Sequence, residues 1–153
     1  MGRNVITMVT QNIYVRDIGW SIRCYYDTTR EDAEEILDEL WYLGCDVLTY
    51  RKAERNLLRG KKDTGLCYSN YARRETIFVI SQTSSALEFI NSWVHEMRHL
   101  IAHVTDVCKF TPLGENIAYF SGEVARQMFP KIKHFICDCC RSKQLNSYDR
   151  HSH

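Results

Sequence analysis

The residues with the clearest chemical potential are His95-Glu96-Met97-Arg98-His99. On an α-helix, positions four apart share a face and lie about 6 Å apart along the axis. Two imidazoles at that spacing can converge on one zinc ion. Glu96 then sits beside the metal, where a carboxylate can take a proton from metal-bound water. The spacing therefore predicts His95 and His99 as metal ligands and Glu96 as a general base. An apolar helix carrying these groups would leave them costly to bury unless they were paired or metal-bound.

A zinc site needs a third protein ligand. His103 continues the same face, but its Cα lies a further ~6 Å along a straight helix, so it reads as a supporting or structural residue. The next segment, GENIAYFSGEVARQMF over 114–129, offers Glu115 and Glu123. Folded back antiparallel, Glu115 falls nearer His99 and Glu123 nearer His95, and closeness to the connecting loop favours Glu115. Tyr119 and His103 are candidates for stabilising an oxyanion, which hydrolysis also requires. A metzincin arrangement fails, because it needs Gly at 102 and His at 105 where the chain has Ala102 and Thr105.

These groups need a scaffold. Ser85 with Glu88 is a capping box, and apolar residues recur from Ala86 to Val104, so a wide-striped, central helix is predicted over about 85–107. Residues 75–81 (ETIFVIS) are the clearest strand, apolar on both faces and so expected in a sheet against helices. A strand near 66–71 and an N-terminal hairpin, 4–15 and 20–27 around Asp17 and Gly19, complete the sheet. Thr28 with Glu31 opens a helix over about 29–43, striped by Ala33, Ile36, Leu37, Leu40, Trp41 and Leu43 and ended by Gly44. Its acidic outer face reads as solvated surface. Residues 50–58 read as a short helix or a basic loop, and 59–63 as a turn. Thr111-Pro112 is expected to open a helix over 113–129 that stops at Pro130. A short helix is expected near 131–140.

The stretches NSWVHEMRHL (91–100) and GENIAYFSG (114–122) resemble small HExxH proteins of phages and mobile elements of gut bacteria, miniature gluzincins in appearance. The resemblance rests on Asn91-Ser92, His95, Glu96, His99, Glu115, Ala118, Tyr119 and Gly122, and covers about residues 75–129. It implies a zincin-like metallopeptidase with Glu115 as third ligand, and small Ala118 and Gly122 allowing close helix packing. In zincin-like folds the strand before the active helix holds extended peptide by backbone pairing, provided other strands leave it uncovered. Glu115 follows His99 more closely than the downstream glutamate does in large gluzincins.

Composition sets the frame. The chain has 153 residues, enough for one domain with one core. A net charge of +1 gives no strong field for nucleic acid or an anionic membrane. No apolar stretch approaches the ~20 residues of a membrane span, and the N-terminus has no signal-peptide core, so the reading is cytoplasmic. Seven cysteines without an export signal argue against a disulfide framework. Cys137, Cys139 and Cys140, with His134 nearby, do not have a clean zinc-finger spacing.

The expected fold is α+β: a small twisted sheet packed on a central HExxH helix, followed by a glutamate-bearing helix. One zincin-like domain is expected over 1–142, with a flexible tail over 143–153. The expected activity is zinc-dependent hydrolysis of a peptide or protein. The alternative is a non-catalytic, zinc-containing interaction protein, such as a phage-borne inhibitor of a host factor.

Overall fold

The computed structural model describes residues 8–141. Strands β1 (Val9–Val15) and β2 (Trp20–Thr28) form the predicted hairpin, joined by one 3₁₀ turn that Gly19 closes at φ 61°. Helices α1 (Ala33–Tyr42) and α2 (Val47–Arg59) follow, then β3 (Gly65–Asn70), β4 (Glu75–Ser81), α3 (Ala86–Cys108) and α4 (Glu115–Ile132). The start of the expected first strand and the tail after residue 141 lie outside the described residues. No helix among the described residues is long and apolar enough to cross a membrane.

The four strands lie in the order β1-β2-β4-β3. β1 and β3 run antiparallel to their neighbours, whereas β2 and β4 are parallel. A parallel pair needs a crossover connection, here supplied by α1, α2 and β3. β4 is therefore covered along both edges, while β3 is an outer strand.

Side-chain alternation divides the sheet's two faces. Ile77 and Val79 of β4, with Tyr25 of β2, pack on Ile36, Leu37 and Leu40 of α1. Phe78 and Ile80, with Ile22, Cys24 and Tyr26, pack on Phe89, Leu100 and Val104 of α3 and on Phe120 and Val124 of α4. The result is three layers, with α1 and α2 on one face and α3 and α4 side by side on the other. Each fully buried Leu or Phe contributes about 1.5–3 kcal/mol.

Several boundaries differ from expectation, each for a local reason. The predicted Thr28–Glu31 capping box forms one residue later, between Thr29 and Asp32, because Thr28 is held in β2. Trp41 leaves the buried stripe of α1 and is 66% exposed, packing its ring edge-on to Tyr50 of α2. Residues 50–58 are helical, opened by Asp46, whose side chain accepts from the Thr49 N–H. Pro112 lies in the turn before α4, and Gly114 is the residue that precedes the helix. Pro130 does not stop α4: it is exposed near the end, and burial of Ile132 and Phe135 draws the chain onward. The expected helix near 131–140 is reduced to one helical turn over 138–141.

Candidate functional site

Ser85 caps α3 by accepting from the Glu88 N–H at 3.2 Å, as its spacing predicts. A second cap comes from far along the chain: Asp138 accepts from the Ala86 N–H at 3.2 Å. Beside it, Arg141 donates to the Thr83 carbonyl at 2.8 Å. The Cys137–Arg141 segment thus docks on the head of α3. Among the described residues no three His, Cys, Asp or Glu side chains are grouped to hold a metal ion, in this cysteine cluster or elsewhere.

His95 and His99 project from α3 one turn apart, and their Nε2 atoms lie 3.2 Å apart. Two nitrogens bound at 2.0–2.1 Å to one tetrahedral ion are about 3.3 Å apart. The pair therefore has the spacing of two ligands to a single ion, or of an N–H···N hydrogen bond when no ion is bound. Glu96 is the inward neighbour. Its side chain is 7% exposed against 67% for His95, and its Oε1 lies 4.0 Å from His95 Nε2. Burial pushes the Glu96 acid up to about 7, with His95 pulling the other way. That is the range in which a carboxylate serves as a proton acceptor near neutral pH.

The wall behind Glu96 is β3. Its alternate residues Gly65, Cys67 and Ser69 face α3. A Cβ at Gly65 would lie 2.7 Å from Glu96 Cγ and 2.7 Å from the Val79 carbonyl oxygen, so the approach is open only to glycine. Burial holds the Cys67 thiol well above its ordinary pKa, and the Glu96 carboxylate adds to the effect. Ser69 Oγ lies 2.7 Å from His103 Nδ1. Four strand residues span about 13 Å and seven helix residues about 10.5 Å, so Gly65-to-Ser69 runs alongside Glu96-to-His103.

Glu115 is not brought to the histidine pair. Helical periodicity places His95 and His99 on one flank of α3 and Trp93, Met97 and Val104 on another. α4 packs against the second flank, where the Trp93 indole donates to Met128 Sδ at 3.2 Å. Glu115 is exposed in the first turn of α4. The helices meet through Ile117, Phe120, Val124 and Met128, all buried in the shared core. Ala118 is on the exposed face, and a Cβ at Gly122 would meet nothing within 4 Å. The expected close packing through these small residues is therefore replaced by interlocking large ones. Glu123 is bound to Arg126 at 2.6 Å and Gln127 at 2.8 Å. Tyr119 is 74% exposed and borders a cleft with Asp17, Phe110 and Glu123 beside β1, at the other side of the sheet from β3.

The structure thus unites His95, Glu96 and His99, and adds Gly65, Cys67 and Ser69, which no local sequence signal marked. The flank bearing the histidines is turned away from α4 and toward the outer edge of β3. The strand predicted to hold peptide, β4, has neighbours on both edges, and β3 is the outer strand beside α3. No family model matches this chain, and no curated protein or solved structure matches it.

Proposed function

We propose that this protein is a metal-dependent hydrolase acting on peptides, with His95 and His99 as metal ligands and Glu96 as the proton acceptor. The convergence of the two Nε2 atoms beside a buried carboxylate carries the reading. Bound there, zinc would polarise a scissile carbonyl and acidify its water. Glu96, buried and with its acid raised toward neutrality, accepts the proton from the attacking water and returns it to the leaving amine. Gly65 lets β3 close over the carboxylate and keeps it from turning to solvent. The outer edge of β3, which no other strand among the described residues pairs with, offers its backbone groups to an extended peptide running past the histidines. A zincin-like arrangement, with the edge strand beside the active helix, accommodates all of these parts.

Two candidate ligands come from α3, and among the described residues no third His, Cys, Asp or Glu, Glu115 included, is grouped with them. That observation favours a second reading, in which the histidine pair and the β3 edge hold metal and a protein partner without turnover. Elemental analysis of purified protein is expected to find about one zinc per chain. Glu96→Gln is expected to keep that zinc and abolish cleavage of an unstructured peptide substrate. Metal-free protein, or equal cleavage by wild type and Glu96→Gln, ends the hydrolase reading. Zinc without cleavage in the wild type favours the binding one.

A further inference from the structure

A hydrogen-bonded chain runs through the sheet into α3. The Trp20 Nε1–H donates to Thr76 Oγ1 at 2.8 Å. Thr76 Oγ1 lies 2.7 Å from Ser69 Oγ, which lies 2.7 Å from His103 Nδ1. Trp20 belongs to β2, Thr76 to β4 and Ser69 to β3, so three strands cooperate. Trp20, Thr76 and Ser69 are all buried.

Counting donors fixes the direction of every bond. The indole N–H has no lone pair to offer and must donate. Thr76 Oγ1 accepts it and has one proton, for which Ser69 is the sole acceptor among the described residues. Ser69 Oγ, having accepted, places its own proton on His103 Nδ1. The reverse order would leave the Thr76 proton buried without an acceptor, at a cost of about 1–3 kcal/mol. His103 Nδ1 is thus an acceptor, and the neutral ring carries its proton on Nε2. Burial, and then the nearby His99, lower its pKa and so favour the neutral ring, while Asp106 opposes them.

The other ring nitrogen is available. His103 is half-buried, its ring 5.7 Å from that of Tyr71. Nε2 has no hydrogen-bond partner among the described residues, and no buried side-chain nitrogen or oxygen there lacks one. Nε2 therefore faces solvent, one helical turn beyond His99 and beside β3.

We infer that His103 is a fixed hydrogen-bond donor of the candidate site, presenting Nε2–H to the carbonyl oxygen of a peptide bound along β3, with Ser69 and Thr76 as the positioning residues that set its tautomer. The contact with peptide rests on the hydrolase reading, whereas the tautomer does not. As the scissile carbonyl becomes tetrahedral its oxygen gains charge, and a preorganised donor stabilises it more than it stabilises the ground state.

The test has two arms. In the first, nitrogen-15 NMR of histidine-labelled protein reads the tautomer without any substrate. His103 is expected to carry its proton on Nε2 alone. Ser69→Ala and Thr76→Val are expected to give a mixture, and Thr76→Ser, which keeps the hydroxyl, to restore the single form. A proton on Nδ1 in the wild type, or a tautomer indifferent to Thr76→Val, overturns the chain. In the second arm, His103→Ala is expected to lower kcat about 100-fold with zinc content and KM little changed. Loss of zinc would make His103 a ligand instead, and an unchanged kcat would remove the contact with substrate. Should the wild type hydrolyse nothing, the peptide contact falls with the hydrolase reading and the tautomer is still decided by the first arm.

Discussion

Glu96 should make the metal-free protein less stable as pH rises through neutrality, and Glu96→Gln should abolish that loss. In the fold, burial raises this acid from 4.5 to about 7. The folded chain therefore binds the Glu96 proton more tightly than the unfolded chain does. Below pH 4.5 both states are protonated and the stability associated with the neutral acid is fully present. Between 4.5 and 7 the unfolded state ionises first, and stability falls as pH rises through the folded value. A difference of two and a half pH units at 1.36 kcal/mol each amounts to roughly 3 kcal/mol, a sizeable part of the 5–15 kcal/mol typical of a domain. Gln at this position does not titrate. Urea unfolding of wild type and Glu96→Gln, both stripped of metal, would be followed from pH 4.5 to 8. Their difference is expected to move by about 3 kcal/mol in favour of the variant as pH rises. Contributions from groups that do not act on Glu96, such as the half-buried Asp27, cancel between the two proteins. A difference constant to within about 0.5 kcal/mol across that range would show that the carboxyl is not desolvated as the structure has it.

Three more outcomes follow from the same geometry. Gly65→Ala forces a methyl against Glu96 and against the backbone of central strand β4, which cannot yield, so it should cost about 1–3 kcal/mol in urea unfolding; full stability would mean the approach is looser than 2.7 Å. In equilibrium dialysis His99→Ala should lose zinc and Glu115→Gln should retain it, and loss of zinc from Glu115→Gln would require α4 to move onto the histidine flank. Ser85→Ala removes the N-terminal cap of α3 and should cost about 1 kcal/mol, read as a fall of roughly 2–4 °C in thermal midpoint; no fall would mean that Asp138 alone caps the helix.

The local features were legible before any coordinates. His95 and His99 meet because a four-residue spacing on a helix allows little else, and that helix was readable from its apolar stripe and its Ser85 cap. β4 was readable because ETIFVIS is apolar on both faces, as a strand covered by two helical layers must be. The hairpin followed from two β-branched runs around Gly19. Sequence and structure differ where burial outweighs a local signal: Pro130 reads as a stop, yet Ile132 and Phe135 carry the chain past it into the core. Trp41 falls on the apolar stripe of its helix, yet the turn into α2 leaves it at the surface.

Sequence alone therefore determined the chemistry that one helix can hold, because neighbours within a turn are set by covalent geometry. Tertiary structure decided which strangers join them. A helical hairpin by itself brings Glu115 toward His99, but which flank of α3 receives α4 depends on packing Trp93 against Met128, a contact between distant residues. Gly65, Ser69 and Thr76 carry no local mark of their roles, since each matters only through a strand order that places β3 at the edge and α3 above it. Such an order arises from burying both faces of the whole sheet at once, and no window of neighbouring residues contains that requirement.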